Sequence, residues 1–375
     1  MSFTQGAVAL ANVFAQPKGI RAPTPRSRIH INLGILSTGH HLQGKSILVT
    51  GGTGSFGRSF VEYALSELAP KRLVVFSRDE LKQFEMSRRF PEAEHPCLRY
   101  FIGDVRDPGR VRRAFAGVEI VVHAAAMKQI PAAEYNPTEC IATNIVGAQN
   151  VIDAAIENDV ERVVALSTDK AANPVNLYGA TKLCSDKLFI AANNLAGRHR
   201  TRFAVVRYGN VVGSRGSVIP FFKRLAAEGV TRLPVTDPKM TRFVITLDQG
   251  VRFVMSCLAD MHGGEVFVPK LPSMTVVDLV PLIIPNGEYD VVGIRPGEKL
   301  HEVMIPREEA RNSVDMGDHY IIQPGHHWWN VEAFRERIKD KGRPIDHDFE
   351  YASDTNEQRV TPTELRALVD ASGHD

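Results

Sequence analysis

The chain has 375 residues, 23% of them charged, with 45 Lys and Arg against 43 Asp and Glu for a formal net charge of +2. It is long enough for one large domain or two, and so even a charge balance points away from a nucleic-acid or acidic-polymer partner. Its four cysteines, Cys97, Cys140, Cys184 and Cys257, have no metal-like spacing and read as reduced thiols of a cytoplasmic protein, with no metal expected. No apolar run approaches the roughly 20 residues needed to cross a bilayer, so no membrane partner is expected.

Residues 1–44 differ from the rest. They hold no Asp or Glu, carry Pro17, Pro23 and Pro25 among Arg21, Arg26 and Arg28, and show no sustained periodicity. They read as a flexible extension, without the compact apolar core of a secretory signal. From Lys45 the chain alternates strand and helix. Apolar runs at 45–50, 72–77, 98–105, 119–126, 161–168 and 203–211 predict strands, and helices are expected over 59–68 and 79–89. This alternation predicts an α/β fold with a Rossmann-like, doubly wound parallel sheet over 45–211. A later segment near 243–270 is expected to return to that domain. The remainder of 212–375, richer in proline, should form most of a smaller, discontinuous substrate-binding lobe.

The sequence TGGTGSFG (50–57) follows the first strand and opens the first helix, the context a dinucleotide loop requires. Gly51 would permit the tight turn, Gly54 the backbone's approach to a pyrophosphate, and Gly57 close helix packing. Thr53, Ser55 and Phe56 complete the loop, and free N–H groups at the helix start favour an anion. The second strand ends in SRDELK (77–82), where Ser77, Arg78 and Lys82 are suited to a ribose 2′-phosphate, the mark of NADP. The alternative is that Asp79 binds a 2′-hydroxyl as in NAD enzymes, or simply caps the helix. Asp104 and Val105 are expected near the adenine. Ala124 keeps the loop after the fourth strand small.

The stretch STDKAANPVNLYGATK (167–182) places Tyr178 and Lys182 one helical turn apart, on one face. In that arrangement the ammonium would stabilise a phenolate and lower a tyrosine pKa from its reference of about 10. Asp169 and Lys170 lie just upstream. An alcohol oxidation needs only the tyrosine, so two further proton-transfer groups point to a second reaction in the same pocket, such as loss of water. Burial would lower the Lys170 pKa and fit it as a base.

Several motifs appear in order: TGGTGSFG, SRDELK, HAAAMKQIP (123–131), STDKAANPVNLYGATKL (167–183), RYGNVVGSRGSVIPFF (207–222), MTRF (240–243) and GIRPGEKLHE (293–302). Together they resemble the UDP-N-acetylglucosamine 4,6-dehydratases of the extended short-chain dehydrogenase family, most of all the soluble 5-inverting branch that begins pseudaminic acid synthesis. The similarity runs from about Gly44 to the C-terminus. Near the end, Gln358, Arg359 and Val360 stand where that family has an acidic–Trp–Leu run. Related membrane-bound dehydratases resemble this motif but carry methionine at the position of Tyr178.

The resemblance implies that Tyr178 deprotonates the sugar 4-hydroxyl while hydride leaves C4, with Lys182 holding the cofactor ribose. The 4-ketone then acidifies C5–H, Lys170 serves as base and Asp169 as the acid for the departing C6 hydroxyl. Matched motifs assign substrate contacts to Lys128, Asn210, Val211, Gly213, Ser214 and Arg215, with Arg215 and Arg295 on the diphosphate. Glu298 would accept from the uridine ribose or orient Arg295, and Arg242 would touch ligand or bridge the lobes. The resemblance also implies a homo-oligomer, up to a hexamer. Three alternatives remain open at this point: a UDP-sugar 4-epimerase, a C5-retaining dehydratase, and a dinucleotide-sensing protein without turnover.

Overall fold

The computed structural model describes residues 42–214, 217–326, 329–338 and 341–371. The N-terminal extension up to residue 41, and Arg215, lie outside the described residues. Short apolar runs build the first strands: β1 (Ser46–Thr50), β2 (Arg72–Ser77), β3 (Leu98–Ile102), β4 (Ile120–His123), β5 (Arg162–Leu166) and β6 (Arg202–Val206). β1 and β4 are buried at every residue, as expected of strands covered on both faces. β3 carries the exposed Arg99 and Ile102 because it is a sheet edge. The helices between them are α1 (Ser55–Glu67), α2 (Glu80–Arg89), α3 (Pro108–Phe115), the short α4 (Ile130–Tyr135) and α5 (Pro137–Ile141), α6 (Gly147–Glu157) and α7 (Leu177–Leu195). α1 begins four residues before the periodicity predicts, because its first turn is the glycine loop itself. α2 begins at Glu80 because Asp79 is its cap, accepting from the Lys82 N–H.

Next come β7 (Asn210–Val211), α8 (Val218–Ala227), β8 (Arg232–Val235), β9 (Thr241–Ile245), α9 (Leu247–Asp260), β10 (Val266–Pro269), β11 (Ser273–Thr275) and β12 (Glu288–Val291). The last strands are β13 (Val303–Ile305), β14 (Ser313–Asp315), β15 (His319–Ile322), β16 (Arg343–Pro344) and β17 (Tyr351–Ala352). The predicted strand at 203–211 is therefore two elements. β6 stays in the main sheet, while β7 leaves it to pair with β9. The break falls at Gly209, where a Cβ would meet the Phe243 side chain at 2.6 Å.

The main sheet has ten strands in the order β16-β14-β15-β10-β6-β5-β4-β1-β2-β3. From β3 to β10 all pairings are parallel; β15, β14 and β16 add antiparallel strands beyond β10. Segments 313–322 and 343–344 thus join this sheet as well as 266–269. α1 packs with α9, while α3, α6 and α7 pack in series. A second core gathers Ile219, Phe222, Leu233, Val235, Met240, Val244, Met274 and Val276 with Leu365 and Val369 from the C-terminal helix. No helix among the described residues is long and apolar enough to cross a membrane.

Strand order reverses between β1 and β4, and ligands bind in the crevice at such a switch point. One side chain ties its two walls. The Thr50 hydroxyl lies 2.8 Å from His123 Nδ1 and accepts from the N–H groups of Ala124 and Ala125 at 3.2 Å each. Burial lowers the His123 pKa to about 3, so the ring is neutral. Thr50→Val keeps the shape but strands these buried groups. It is expected to cost about 1–3 kcal/mol in urea-unfolding free energy, and an unchanged unfolding midpoint would show that the crevice does not depend on this hydroxyl.

Candidate active site

The glycine loop is built for close backbone approach. Gly51 has φ +64°, and a Cβ there would sit 2.9 Å from the Ala125 backbone. A Cβ on Gly57 would meet the Gly52 carbonyl at 2.4 Å, so no larger residue fits. Gly54 is the N-cap of α1 with no side-chain cap bond, leaving the first N–H groups of the helix for an anion. Ser55 and Phe56 form that first turn, and Phe56 stacks on Phe60. The cradle fits a dinucleotide pyrophosphate.

Other residues expected around the cofactor are tied together here. The hydroxyls of Thr53 and Ser77 lie 2.7 Å apart, and both are buried. Lys82 is drawn to Asp79, Nζ to Oδ2 at 2.5 Å, whereas Arg78 stays exposed and 3.7 Å from Asp104. Asp104 accepts from the backbone N–H of Arg106 and from its guanidinium. Partial burial alone would raise its carboxyl, but these bonds hold it below its ordinary value. Val105 is buried against Gly147. Ala124 lies beneath, its N–H on Thr50.

Beyond β5 the chain makes a one-turn 3-10 helix, Asp169–Ala171. Thr168 caps it, accepting from the Lys170 N–H at 3.3 Å and donating to Asp169 Oδ1 at 2.9 Å. Lys170 Nζ lies 3.0 Å from Asp169 Oδ1 and 3.2 Å from Glu302 Oε1, with both carboxylates buried. Burial and the nearby Glu302 raise the Asp169 pKa, and Lys170 and Thr168 offset this only in part. The expected lowering of Lys170 by burial does not occur. Burial does act in that direction, but Asp169 and Glu302 more than offset it and hold the ammonium above its ordinary pKa. In this state Lys170 is a charged donor.

Tyr178 and Lys182 occupy the first turns of α7, which Asn176 caps by accepting from the Gly179 N–H at 2.7 Å. The expected lowering of Tyr178 by Lys182 is also corrected. Burial raises the phenol to about 12, and the groups opposing it are Lys170 and Thr168. Lys182 faces Asp186 instead, one turn further along α7. Burial lowers its ammonium and Asp186 partly restores it.

A cavity of about 630 Å³ opens beside the Asp169–Lys170 turn. It brings together Lys170, Asn210, Val211, Arg242, Arg295 and Glu298 of the expected site residues, along with Lys299 and Glu302. Asn210 has a buried Oδ1 with no hydrogen-bond partner among the described residues. Arg242 donates to the Thr241 and Leu300 carbonyls, with Nε 3.6 Å from Glu302 Oε1. Glu298 closes a turn on the Arg295 carbonyl and accepts from Thr236 at 3.4 Å. Arg295 itself is exposed. Gly213 has φ +71°, and the Ser214 N–H bonds to the Val211 carbonyl. These two and Lys128 are not among the cavity-lining residues. Lys128 lies after β4, largely exposed yet recessed enough that desolvation lowers its pKa.

Residues 47–324 match the family model described as "Polysaccharide biosynthesis protein". The chain belongs to the polysaccharide biosynthesis protein family. It is 53% identical over 328 residues to the UDP-N-acetylglucosamine 4,6-dehydratase (inverting) of Campylobacter jejuni subsp. jejuni serotype O:23/36 (strain 81-176), covering 87% of this chain and 97% of that protein. The resemblance read from the motifs is thereby upheld. It is also 40% identical over 285 residues to the UDP-glucose 4-epimerase of Rickettsia canadensis, covering 74% and 82% of the two chains. Among solved structures, Pen from Bacillus thuringiensis matches with a TM-score of 0.78 and 36% identity, over 88% of this chain and 98% of that one.

In this member of the polysaccharide biosynthesis family, three structural contributors escaped the motif reading. Glu302 ends the GIRPGEKLHE run, but its partners Lys170 and Arg242 lie 132 and 60 residues upstream, so spacing alone says nothing of them. Asn144 sits in a π-helical turn, Ala142–Val146; it accepts from the Met127 N–H at 2.8 Å and donates to Thr181 at 2.9 Å, joining the loop after β4 to α7. Gly179 directly follows Tyr178 on the first turn of α7. A Cβ there would stand 2.1 Å from the Lys170 carbonyl. Gly179→Ala should therefore push α7 away from the Asp169 turn. A loss of about 1–3 kcal/mol in unfolding free energy is expected, with turnover falling further than stability does, and wild-type values for both would refute this contact.

Proposed function

We propose that the protein dehydrates UDP-N-acetylglucosamine to a UDP-2-acetamido-2,6-dideoxy-4-keto-hexose, with inversion at C5. The observation that carries this reading is the acid–base pair Asp169–Lys170 packed against the Tyr178 helix, with Asp169 buried and Lys170 lining the cavity. The 53% identity to an inverting dehydratase supports it. An epimerase requires proton transfer only at the 4-hydroxyl, which leaves a desolvated pair at the next turn without a task. We take the enzyme to act in the cytoplasm as a homo-oligomer.

The cofactor in this reading is a nicotinamide dinucleotide, and NADP is the finer choice. Gly51, Gly54 and Gly57 with the start of α1 would hold its pyrophosphate, Arg78 a 2′-phosphate, and Tyr178 with Lys182 the nicotinamide ribose. When bound, it supplies the oxidation at C4 and the matching reduction at C6. Tyr178 takes the proton of the 4-hydroxyl, its phenolate favoured by Lys170 and Thr168. Lys170 and Asp169 begin as an ion pair at 3.0 Å. Passing one proton along that contact leaves a neutral amine and a carboxylic acid, with no change in net charge. Burial favours the neutral forms, while the Glu302 charge opposes loss of the lysine proton. The amine can then remove the C5 proton while the acid protonates the departing C6 hydroxyl, releasing water; once C6 is reduced, C5 takes a solvent-derived proton on its opposite face, which inverts it. Asn210, Val211, Arg242, Arg295 and Glu298 line the cavity that would hold the UDP portion; by their motifs Arg215 is assigned to the diphosphate, Gly213 and Ser214 to the same uridine diphosphate turn, and Lys128 to the sugar.

Two measurements test this reading. Lys170→Met removes the proton carrier while preserving bulk, and dehydratase turnover should fall by about two to four orders of magnitude with little change in UDP-N-acetylglucosamine binding. In heavy water the wild-type product should carry deuterium at C5. Near-normal turnover of the variant would end the case for Lys170. For the cofactor, Arg78→Ala should weaken NADP by about 1.5–3 kcal/mol and hardly touch NAD, whereas equal losses would mean that Arg78 does not read the phosphate.

A further inference from the structure

Glu302 is a charge brought to the catalytic turn from the far end of the chain. It stands just before β13, and its backbone N–H donates to the Ser353 hydroxyl at 2.9 Å, itself 2.7 Å from the Thr241 hydroxyl. The pairing of β13 with β17 keeps Ser353 opposite it. The side chain is 2% exposed and lines the cavity. Oε1 lies 3.2 Å from Lys170 Nζ and 3.6 Å from Arg242 Nε, while Oε2 is buried with no hydrogen-bond partner among the described residues. A buried carboxylate with one oxygen unpaired is costly unless neighbouring cations hold its charge.

We propose that Glu302 is the third member of the proton-transfer cluster, a positioning residue that aims the Lys170 amine into the cavity and supplies the charge against which Asp169 and Lys170 share their protons. This rests on the dehydratase reading. Lys170 spans two carboxylates, so its amine is fixed between Asp169 and Glu302. Around Glu302 the facing groups are Lys170 and Asp169 from the 3-10 turn, Arg242 from β9, and Lys299 from its own segment. The neighbouring His301 is turned away onto Thr241 at 2.8 Å, and Arg207 lies behind with Glu309. The two carboxylates differ in consequence. Burial works against ionisation of Glu302, but Lys170, Arg242 and Lys299 outweigh it and keep it an anion, whereas Asp169 is the one pushed toward holding a proton. A pair of carboxyl groups driven apart in this way assigns acid and counter-charge.

The sign of the effect follows from Coulomb's law. Removing the negative charge at Glu302 makes both Asp169 and Lys170 release protons more easily, so each titrates at lower pH. The full-length Glu302→Gln protein should therefore bind UDP-N-acetylglucosamine as wild type does. Its kcat should drop on the order of tenfold to a hundredfold, less than for a group that itself carries the proton, and its pH–kcat profile should move to lower pH. Glu302→Asp should restore part of the rate and return the profile. A merely structural residue would reduce rate and melting temperature without moving the profile, and that result, or an unshifted Glu302→Gln profile, overturns the proposal. Should Glu302→Gln fail to fold, Ser353→Ala frees the Glu302 backbone N–H and so loosens the segment that carries the carboxylate, and the same displacement, smaller in size, is required of it. Nitrogen NMR of 15N-lysine protein, with Lys170 assigned through Lys170→Met, reads the cluster without turnover. An amine that titrates at the same pH with and without the Glu302 charge refutes the inference, while a shifted amine in a protein that makes no 4-keto sugar sinks only the dehydratase reading.

Discussion

The closure of α7 onto the carbonyl of Lys170 is the contact on which the rest of the site depends. Position 179 has room for a hydrogen and nothing more. That proximity sets Tyr178 and Lys182, carried by one helix, against Asp169 and Lys170, carried by the turn after β5. Asn176 then fixes the start of the helix twice over. Its Oδ1 caps Gly179 and its Nδ2 donates to the Gly297 carbonyl at 2.7 Å, so the Arg295–Glu298 turn is referred to the same point. Around this joint the backbone is held by hydrogen bonds of defined length, the condition for placing proton-transfer groups to within a fraction of an ångström.

Buried charge is the second constraint. Asp169, Lys170, Glu302 and Arg242 lie under or beside the cavity, and Lys182, Asp186, Arg207 and Glu309 form another set behind α7. Each set holds two acids and two bases, so neither leaves a net charge in the interior. Such groups contribute little to stability as intact pairs, yet breaking one by removing a partner costs about 3–5 kcal/mol. Within the first set the same burial that would discharge a lone lysine is overcome by two carboxylates. For the Tyr178 phenol, which has no ion-pair partner of its own, burial prevails and the neutral form is favoured.

The smaller lobe contributes through strands that pair across long sequence distances. β7 leaves the main sheet for β9, which turns Asn210 and Val211 toward the cavity. The C-terminal run Gln358–Val360 bonds along β11. Ser273 donates to the Gln358 carbonyl and accepts from the Val360 N–H. This pairing uses backbone groups, which every residue type supplies.

What the sequence by itself determined is the local chemistry. Alternating apolar runs specify strands and helices through periodicity, the glycine loop announces a strand-to-helix turn for an anion, and Tyr178, Lys182, Asp169 and Lys170 are legible because they fall within fourteen residues and one supersecondary unit. These signals depend on backbone geometry over a few residues, which spacing encodes. Tertiary structure alone decided which charges meet. Glu302 reaches Lys170, and β14 to β16 extend a sheet that the strand pattern closed earlier. It also decided the sense in which the site titrates. A lysine's proton affinity depends on which anions share its low-dielectric surroundings, and of the two around Lys170 only Asp169 is its neighbour in sequence; Glu302 arrives from the segment before β13, which no local pattern connects to it.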